Sequence, residues 1–349
     1  MSMVTEYAYL NARVSALAAR LLPESRFHDL LNQELGRQRT GVSELDDLLN
    51  DPNVDPVFIE HAWFMHIVDD FKVLSRPLKG AAHDLLMYWF HKCEVNNVKI
   101  IVRGKLGGLE TNAIAAQLID LGALATLNTD RLLRSEDVNE LLRQLENTPY
   151  STIARQSRRM FEQHQNLHSL DAAIDRHYLL GFEARVNALN STQRKYMQPL
   201  ASIMMDRFNL LWLLRYRLAY GLSPAETYYL LVPTSYKINR ALLRQLVEFD
   251  KLEQVINALP EPYHTLLANV DSTFEVEYRL SAELLRVANY TLRWHSFTLA
   301  KAFAYVLLRE VEMRRVLAIA KGKRLKLDDT AIFKAANPID TISTTTLMT

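Results

Sequence analysis

Histidine beside carboxylates is the raw material of a hydrolytic metal site, and the chain offers several such groupings. HQNLH places His164 and His168 one helical turn apart. A zincin needs glutamate after the first histidine, and Gln165 stands there instead. His28-Asp29 and His83-Asp84 are two His-Asp pairs, and His66 precedes Asp69-Asp70. An all-helical metal-dependent phosphohydrolase brings a histidine, such a pair and a distant aspartate to one metal cluster. That is the enzyme reading, but no third ligand stands at a fixed spacing from HQNLH and nothing orders the pairs. GxSxG, CxxC and the Rossmann glycine pattern are absent. The Gly-Lys of NVKIIVRGK suggests a phosphate loop, yet that loop needs GxxxxGK[ST] after a strand, and neither is present. RQSRRM groups Arg155, Arg158 and Arg159 on one basic face, fit for solvent, an acidic partner or lipid headgroups. No catalytic, cofactor-binding or metal-binding residue is expected from these patterns.

The elements around these residues read as helices. The chain has 349 residues, enough for two or three packed units. Its 10 glycines and 11 prolines are about half the usual share of roughly 12%. Few breakers favour long helices. The net charge of +1 gives no overall field for nucleic acid or an anionic membrane. The single cysteine, Cys93, rules out an intrachain disulfide, suits a reducing compartment and reads as a small core residue. The opening MSMVTEYAYLNARV does not read as a signal peptide. No apolar run approaches the ~18 residues of a membrane helix; FNLLWLL, from Phe208 to Leu214, is stopped by Arg215.

Leu10, Val14, Leu17, Leu21 and Leu22 predict an amphipathic helix ending near Pro23. SELDDLLNDP reads as a short helix capped by Ser43 and closed by Pro52. Helical patterns run from His61 to Phe71 and from Ala81 to Lys92, with RPLKG between them. A polar, Arg-rich helix ends near His164, and another pattern runs on from Leu170. NTPYS and LPEP read as joints. From Tyr263 to Lys321 there are 59 residues without glycine or proline, predicting one or two very long helices. The tail TISTTTLMT is polar and unpatterned, as a loose end would be.

Three segments align without gaps, at offsets of 112 and 106 residues: EVNNVKIIVRGK from Glu94, DRFNLLWLLRYR from Asp206 and EMRRVLAIAKGK from Glu312. An acid opens each: Glu94, Asp206, Glu312. A polar residue follows three later: Asn97, Asn209, Arg315. Cations stand nine and eleven places after the acid: Arg103 and Lys105, Arg215 and Arg217, Lys321 and Lys323. So long a period means repeated small domains rather than a solenoid. It makes NVKIIVRGK a helix despite its β-branched run, with Gly104 expected at the helix end. Nine residues along a helix is half a turn out of phase and about 13 Å of rise. Acid and first cation therefore face opposite ways and cannot pair with each other. The cations are the candidate partner contacts, and the acids and their third-following polar residues the candidate structural positions.

With YAYLNARVSALAARLL at the start, NVKIIVRGK, DRFNLLWLLRYRLAYGLSPAE with its LLVP, and the closing REVEMRRVLAIAKGK, the chain resembles the C subunit of the archaeal- and bacterial-type V-type ATPase/synthase, which corresponds to the d subunit of eukaryotic V-ATPases. The resemblance spans about Tyr7 to Lys326. Asp206, Asn209, Leu210, Arg215 and Gly221 match the family's middle pattern, and Glu310 and Glu312 its last pattern more loosely. Arg315 departs from it, standing where asparagine is expected.

The resemblance implies an all-α fold of three similar helical domains in a pseudo-three-fold funnel. The joints divide it at 1–148, whose N-terminal helix is open to packing on the third domain, then 149–260, 261–335 and a tail, 336–349. It implies a non-catalytic central-stalk subunit with no cofactor, lying peripherally on the cytoplasmic face of the membrane. Its implied partners are the proteolipid ring, the shaft subunits D and F, and as a further candidate the soluble domain of the stator membrane subunit; nucleic acid is not among them. The ring and shaft would be linked through it, coupling ATP hydrolysis or synthesis to proton or sodium transport. Arg103, Lys105, Arg215, Arg217, Lys321 and Lys323 are expected to line or brace the funnel. A helical scaffold outside any ATPase shares the fold expectation and is the alternative.

Overall fold

Helix formers in long unbroken runs produce a chain whose described secondary structure is helical, apart from one isolated bridge between Thr234 and Asn239. The computed structural model describes residues 3–33, 40, 42–51, 53–164 and 167–336. The tail TISTTTLMT lies outside them.

Four helices open the fold: α1 (Met3–Ala18), α2 (Glu24–Asn32), α3 (Ser43–Asn50) and α4 (Pro56–Ser75). Pro23 stands at the cap of α2 and Pro56 in the first turn of α4, where a missing N–H costs nothing. The cap of α3 is Val42, so Ser43 is the first helical residue rather than the cap. Next come α5 (Gly80–Phe90) and α6 (Lys92–Leu106), which is the NVKIIVRGK segment. Small helices α7 (Thr111–Ala115), α8 (Thr129–Leu133) and α9 (Val138–Leu145) follow, with a 3₁₀ turn at Gly122–Leu124.

Beyond NTPYS, α10 (Ser151–His164), α11 (Leu167–Ala188) and α12 (Ser191–Leu213) are long, and α12 runs into a π-helical turn at Leu214–Ala219. The short helices α13 (Pro224–Leu230), α14 (Arg240–Leu246), α15 (Leu252–Asn257) and α16 (Tyr263–Leu266) repeat the earlier small-helix run. The span without glycine or proline holds α17 (Thr273–Trp294) and most of α18 (Leu299–Arg324), before α19 (Asp329–Ala336). Between α17 and α18 the chain turns at Phe297, whose φ of 60° does the work of a glycine.

α6 is helical although Val98, Ile100, Ile101 and Val102 favour strands, because packing outweighs propensity. Nearly all of it is buried, polar residues included. Glu94, Asn97 and Lys99 break strand alternation but suit a helix enclosed on all sides. Gly104 corrects an expectation: it lies inside α6, which ends at Leu106 with Gly107 at the cap and Gly108 at φ 67°. Its place is steric, since a Cβ there would stand 2.5 Å from Cγ1 of Ile114. Gly322 meets Ile332 in the same way, at 2.5 Å.

Long helices pack on one another across the chain. α5 and α6 lie on α11, α12 lies on α17, and α18 lies on α4 and on α1. At one crossing, Trp89, Phe182 and Phe303 meet with centroids 5.4, 5.2 and 5.7 Å apart. Each such large apolar side chain, fully buried, contributes roughly 1.5–3 kcal/mol.

Candidate functional site

The repeated polar residues resolve into two matching clamps. Asn97 donates through Nδ2 to the Ile119 carbonyl at 2.7 Å and accepts from the Ile119 N–H at 2.9 Å. Asn209 treats Val232 identically, both bonds being 2.8 Å. Glu94 accepts from the backbone N–H groups of Thr126 and Leu127 at 2.5 and 2.9 Å, from the Thr126 hydroxyl at 2.6 Å and from the Tyr150 hydroxyl. Asp206 accepts from the Ile238 N–H at 3.0 Å, the Tyr263 hydroxyl at 2.8 Å and the Ser202 hydroxyl at 3.1 Å. In both cases a long helix holds the returning loop by its backbone, immediately before an asparagine that caps the next short helix, Asn128 for α8 and Asn239 for α14. All four clamp residues are buried. Burial pushes the Asp206 carboxyl up, and its hydrogen bonds to Ile238, Tyr263 and Ser202 oppose that shift.

The third segment is met differently. Arg315 pairs with Glu24 of α2, with contacts of 2.8 and 2.5 Å, and stacks over the Phe27 ring at 4.0 Å. An arginine in place of asparagine has the reach for this, so the departure has a local cause. Glu312 accepts from Arg309 at 2.5 Å. The N-terminal segment thus stands against the third repeated helix, and Lys301 of α18 donates to Asn11 and Ser15 of α1, both at 2.9 Å.

The repeated cations do not share one setting. Arg103 crosses from α6 to Asp171 of α11, its Nε at 3.0 Å. Lys105 turns inward to the carbonyls of Leu133, at 2.9 Å, and Ser135. Arg217 likewise donates to the carbonyls of Val247 at 2.8 Å and Leu222 at 3.1 Å. Lys323 reaches Asp329 at 3.4 Å, and half-buried Lys321 adds its positive field at Glu60. Arg215 is exposed.

Several contacts between helices were not signalled by the repeat. Lys99 pairs with Asp175 at 2.7 Å, beside the Arg103–Asp171 bridge. Tyr88 and Tyr178 stack at 4.9 Å, and each hydroxyl donates to the other's carbonyl, at 2.9 and 3.0 Å. Lys92 pairs with Glu310 at 2.5 Å under the Trp89 ring, and Trp89 Nε1 donates to Glu310 at 3.1 Å. Tyr150 and Tyr263 did have a visible signal. PYST and PYHT stand at the two joints, 56 and 57 residues after the two acids.

Metal chemistry finds no support in the placement of its candidates. Among the described residues no group of three or more His, Cys, Asp or Glu is set to hold a metal ion. Asp69 pairs with Lys72 at 2.9 Å and Asp84 with Arg185 at 3.1 Å. Asp70 accepts from Tyr305 at 2.6 Å, and Asp29 lies 3.9 Å from Arg26. The side chains of His164 and His168 lie outside the described residues. The phosphate-loop reading fails on geometry as well, because Gly104-Lys105 stands in the last turn of α6, where carbonyls rather than N–H groups are free. Cys93 is buried, and burial pushes its thiol up to about 12, so it is a core residue. In the RQSRRM face, Arg158 pairs with Glu146 at 3.1 Å, while Arg155 and Arg159 are exposed. Among the described residues no helix is long and apolar enough to cross a membrane.

Known proteins give these features a family. The A-type ATP synthase C subunit of Methanocaldococcus jannaschii is 24% identical over 332 residues, covering 91% of this chain and 82% of its own. That of Methanothermobacter thermautotrophicus is 26% identical over 328 residues, covering 91% and 84%. That of Halobacterium salinarum is 23% identical over 342 residues, covering 93% and 96%. The model of the ATP synthase (C/AC39) subunit family matches residues 10–334. A match of that extent takes in both clamps, the helices that carry them and the whole of α18, and the chain belongs to the ATP synthase (C/AC39) subunit family.

Proposed function

We propose that the chain is a non-catalytic central-stalk subunit of an A/V-type ATPase/synthase. It acts as a socket between the rotating shaft, subunits D and F, and the membrane proteolipid ring. Three helical domains, 1–148, 149–260 and 261–335, form a pseudo-three-fold funnel on the cytoplasmic face. Torque passing through it couples ATP hydrolysis or synthesis to proton or sodium transport. The observation that carries this reading is the family match over 10–334, joined to the interior use of the repeated acids and asparagines. Glu94, Asn97, Asp206 and Asn209 hold backbone, not substrate. A body that transmits torque needs stiff walls, and long helices tied by buried side-chain-to-backbone bonds supply them.

The test is an affinity pull-down of the tagged chain from its native membranes in mild detergent, read by mass spectrometry. Recovery of the proteolipid together with subunits D and F is expected. An intact, helical chain that brings down none of the three would sink the socket and leave the scaffold alternative.

A further inference from the structure

The three repeated acids differ in how their carboxylates are satisfied. Glu94 accepts four hydrogen bonds from neutral donors and Asp206 three. Glu312 has Arg309 at 2.5 Å on Oε1, while its buried Oε2 has no hydrogen-bond partner. Arg309 is shared, since its Nε also lies 3.6 Å from Asp70 Oδ2, across the contact between α18 and α4. Asp70 in turn accepts from the Tyr305 hydroxyl at 2.6 Å. One guanidinium, under the Trp63 ring at 5.2 Å, therefore stands between two enclosed carboxylates. The side chains of Arg309, Glu312 and Asp70 are only 10%, 5% and 16% exposed.

We propose that Asp70 and Glu312 hold one exchangeable proton across Arg309, making the contact between α4 and α18 a proton-sensitive latch. Two carboxylates on one cation leave an excess negative charge in a place where water cannot screen it. Binding a proton removes that excess and lets a neutral carboxyl donate. The groups that bear on the pair come from α18 itself, from α4 and from the N-terminal segment. Arg20 follows α1, His66 lies on α4, and Tyr305 and Arg309 lie on α18. The backbone of Leu22 approaches Glu312 from the N-terminal segment, and the Arg315–Glu24 pair lies one turn further along α18. Burial raises the Asp70 carboxyl, against the Tyr305 hydrogen bond and the fields of Arg309, His66 and Arg20. Burial likewise pushes Glu312 up to about 7, against Arg309 and the Leu22 backbone.

The sign follows. A carboxyl raised in the folded state keeps its proton where the unfolded chain has released it. The contribution of this pair to stability is therefore greatest at acid pH and falls as pH rises from the ordinary carboxylate range through about 7. Above that the latch carries its full excess charge, and α4 with the N-terminal segment is held less firmly on α18. The proton belongs to the pair and not to either residue alone.

The experiment uses the full chain, its Glu312→Gln variant and its Asp70→Asn variant. Infrared difference spectra should show a protonated-carboxyl component that titrates near 7, and Glu312→Gln should lack that component. Asp70→Asn should move its titration to lower pH, because a neighbouring negative charge is gone. In thermal scans the native chain should lose about 3–6 °C of Tm between about pH 5 and about pH 8, and Glu312→Gln less than half of that. A native chain with no such component, or a component unchanged in Glu312→Gln, overturns the proposal even where a variant is too unstable for the thermal scan.

Discussion

Asn209 and Val232 exchange two hydrogen bonds of 2.8 Å between an enclosed side chain and the backbone of a loop 23 residues away. The same exchange joins Asn97 to Ile119, 22 residues away. An amide side chain alone offers a donor and an acceptor at the spacing of a peptide group, so asparagine here acts as one rung of a ladder. Replacing Asn209 by alanine would strand an N–H and a carbonyl in the core. A loss of about 2–4 kcal/mol is expected, read as a lower urea midpoint at unchanged slope. Asn97→Ala should cost a similar amount, and a loss under about 0.5 kcal/mol in both would refute the clamp.

Gly104→Ala sets two effects against each other. Alanine favours a helix by about 1 kcal/mol. Its Cβ would meet Ile114 at 2.5 Å, and overpacking of that kind costs about 1–3 kcal/mol. Packing should win and the variant should be less stable. The discriminating measurement is a double-mutant cycle with Ile114→Ala, in which the pair should lose clearly less than the sum of the singles.

Lys92 and Glu310 form an enclosed pair with side chains 7% exposed each. Burial favours neutral Lys92, and Glu310 opposes that. Removing Glu310 alone, as Glu310→Ala, should cost about 3–5 kcal/mol, because Lys92 loses this buried counter-charge and the Trp89 N–H its acceptor. Replacing both by apolar residues, as Lys92→Met with Glu310→Leu, should recover much of that loss. Denaturant melts of the three chains decide it, and a double variant as weak as the single would mean the pair is itself a large net stabiliser.

Charge reversal separates bracing from partner contact. Arg103→Glu faces Asp171 and should loosen α6 from α11 by about 1–3 kcal/mol. Arg215 is exposed, so Arg215→Glu should leave the melt within about 0.5 kcal/mol. Any loss of ring or shaft subunits from a pull-down with Arg215→Glu is then a contact effect. Full recovery of those subunits would remove Arg215 from the interface.

The sequence by itself determined the helical class, the approximate course of several long helices and the repeat, because these depend on local pattern. Scarce glycine and proline and the acid-to-asparagine spacing act within a few residues. It also carried the tyrosines of the clamps, in PYST and PYHT. Only the tertiary structure decided what the repeated residues do. A charge is read from sequence as a partner contact or a solvated end, yet Lys105 and Arg217 turn to carbonyls 28–30 residues on. Gly104 was legible as a breaker but works as a gap for Ile114. Lys92 meets Glu310 across 218 positions and Arg315 meets Glu24 across 291. No local spacing encodes such pairings. They exist because enclosed charges must find a counter-charge or a dipole, and which one lies within reach is settled by how the helices pack.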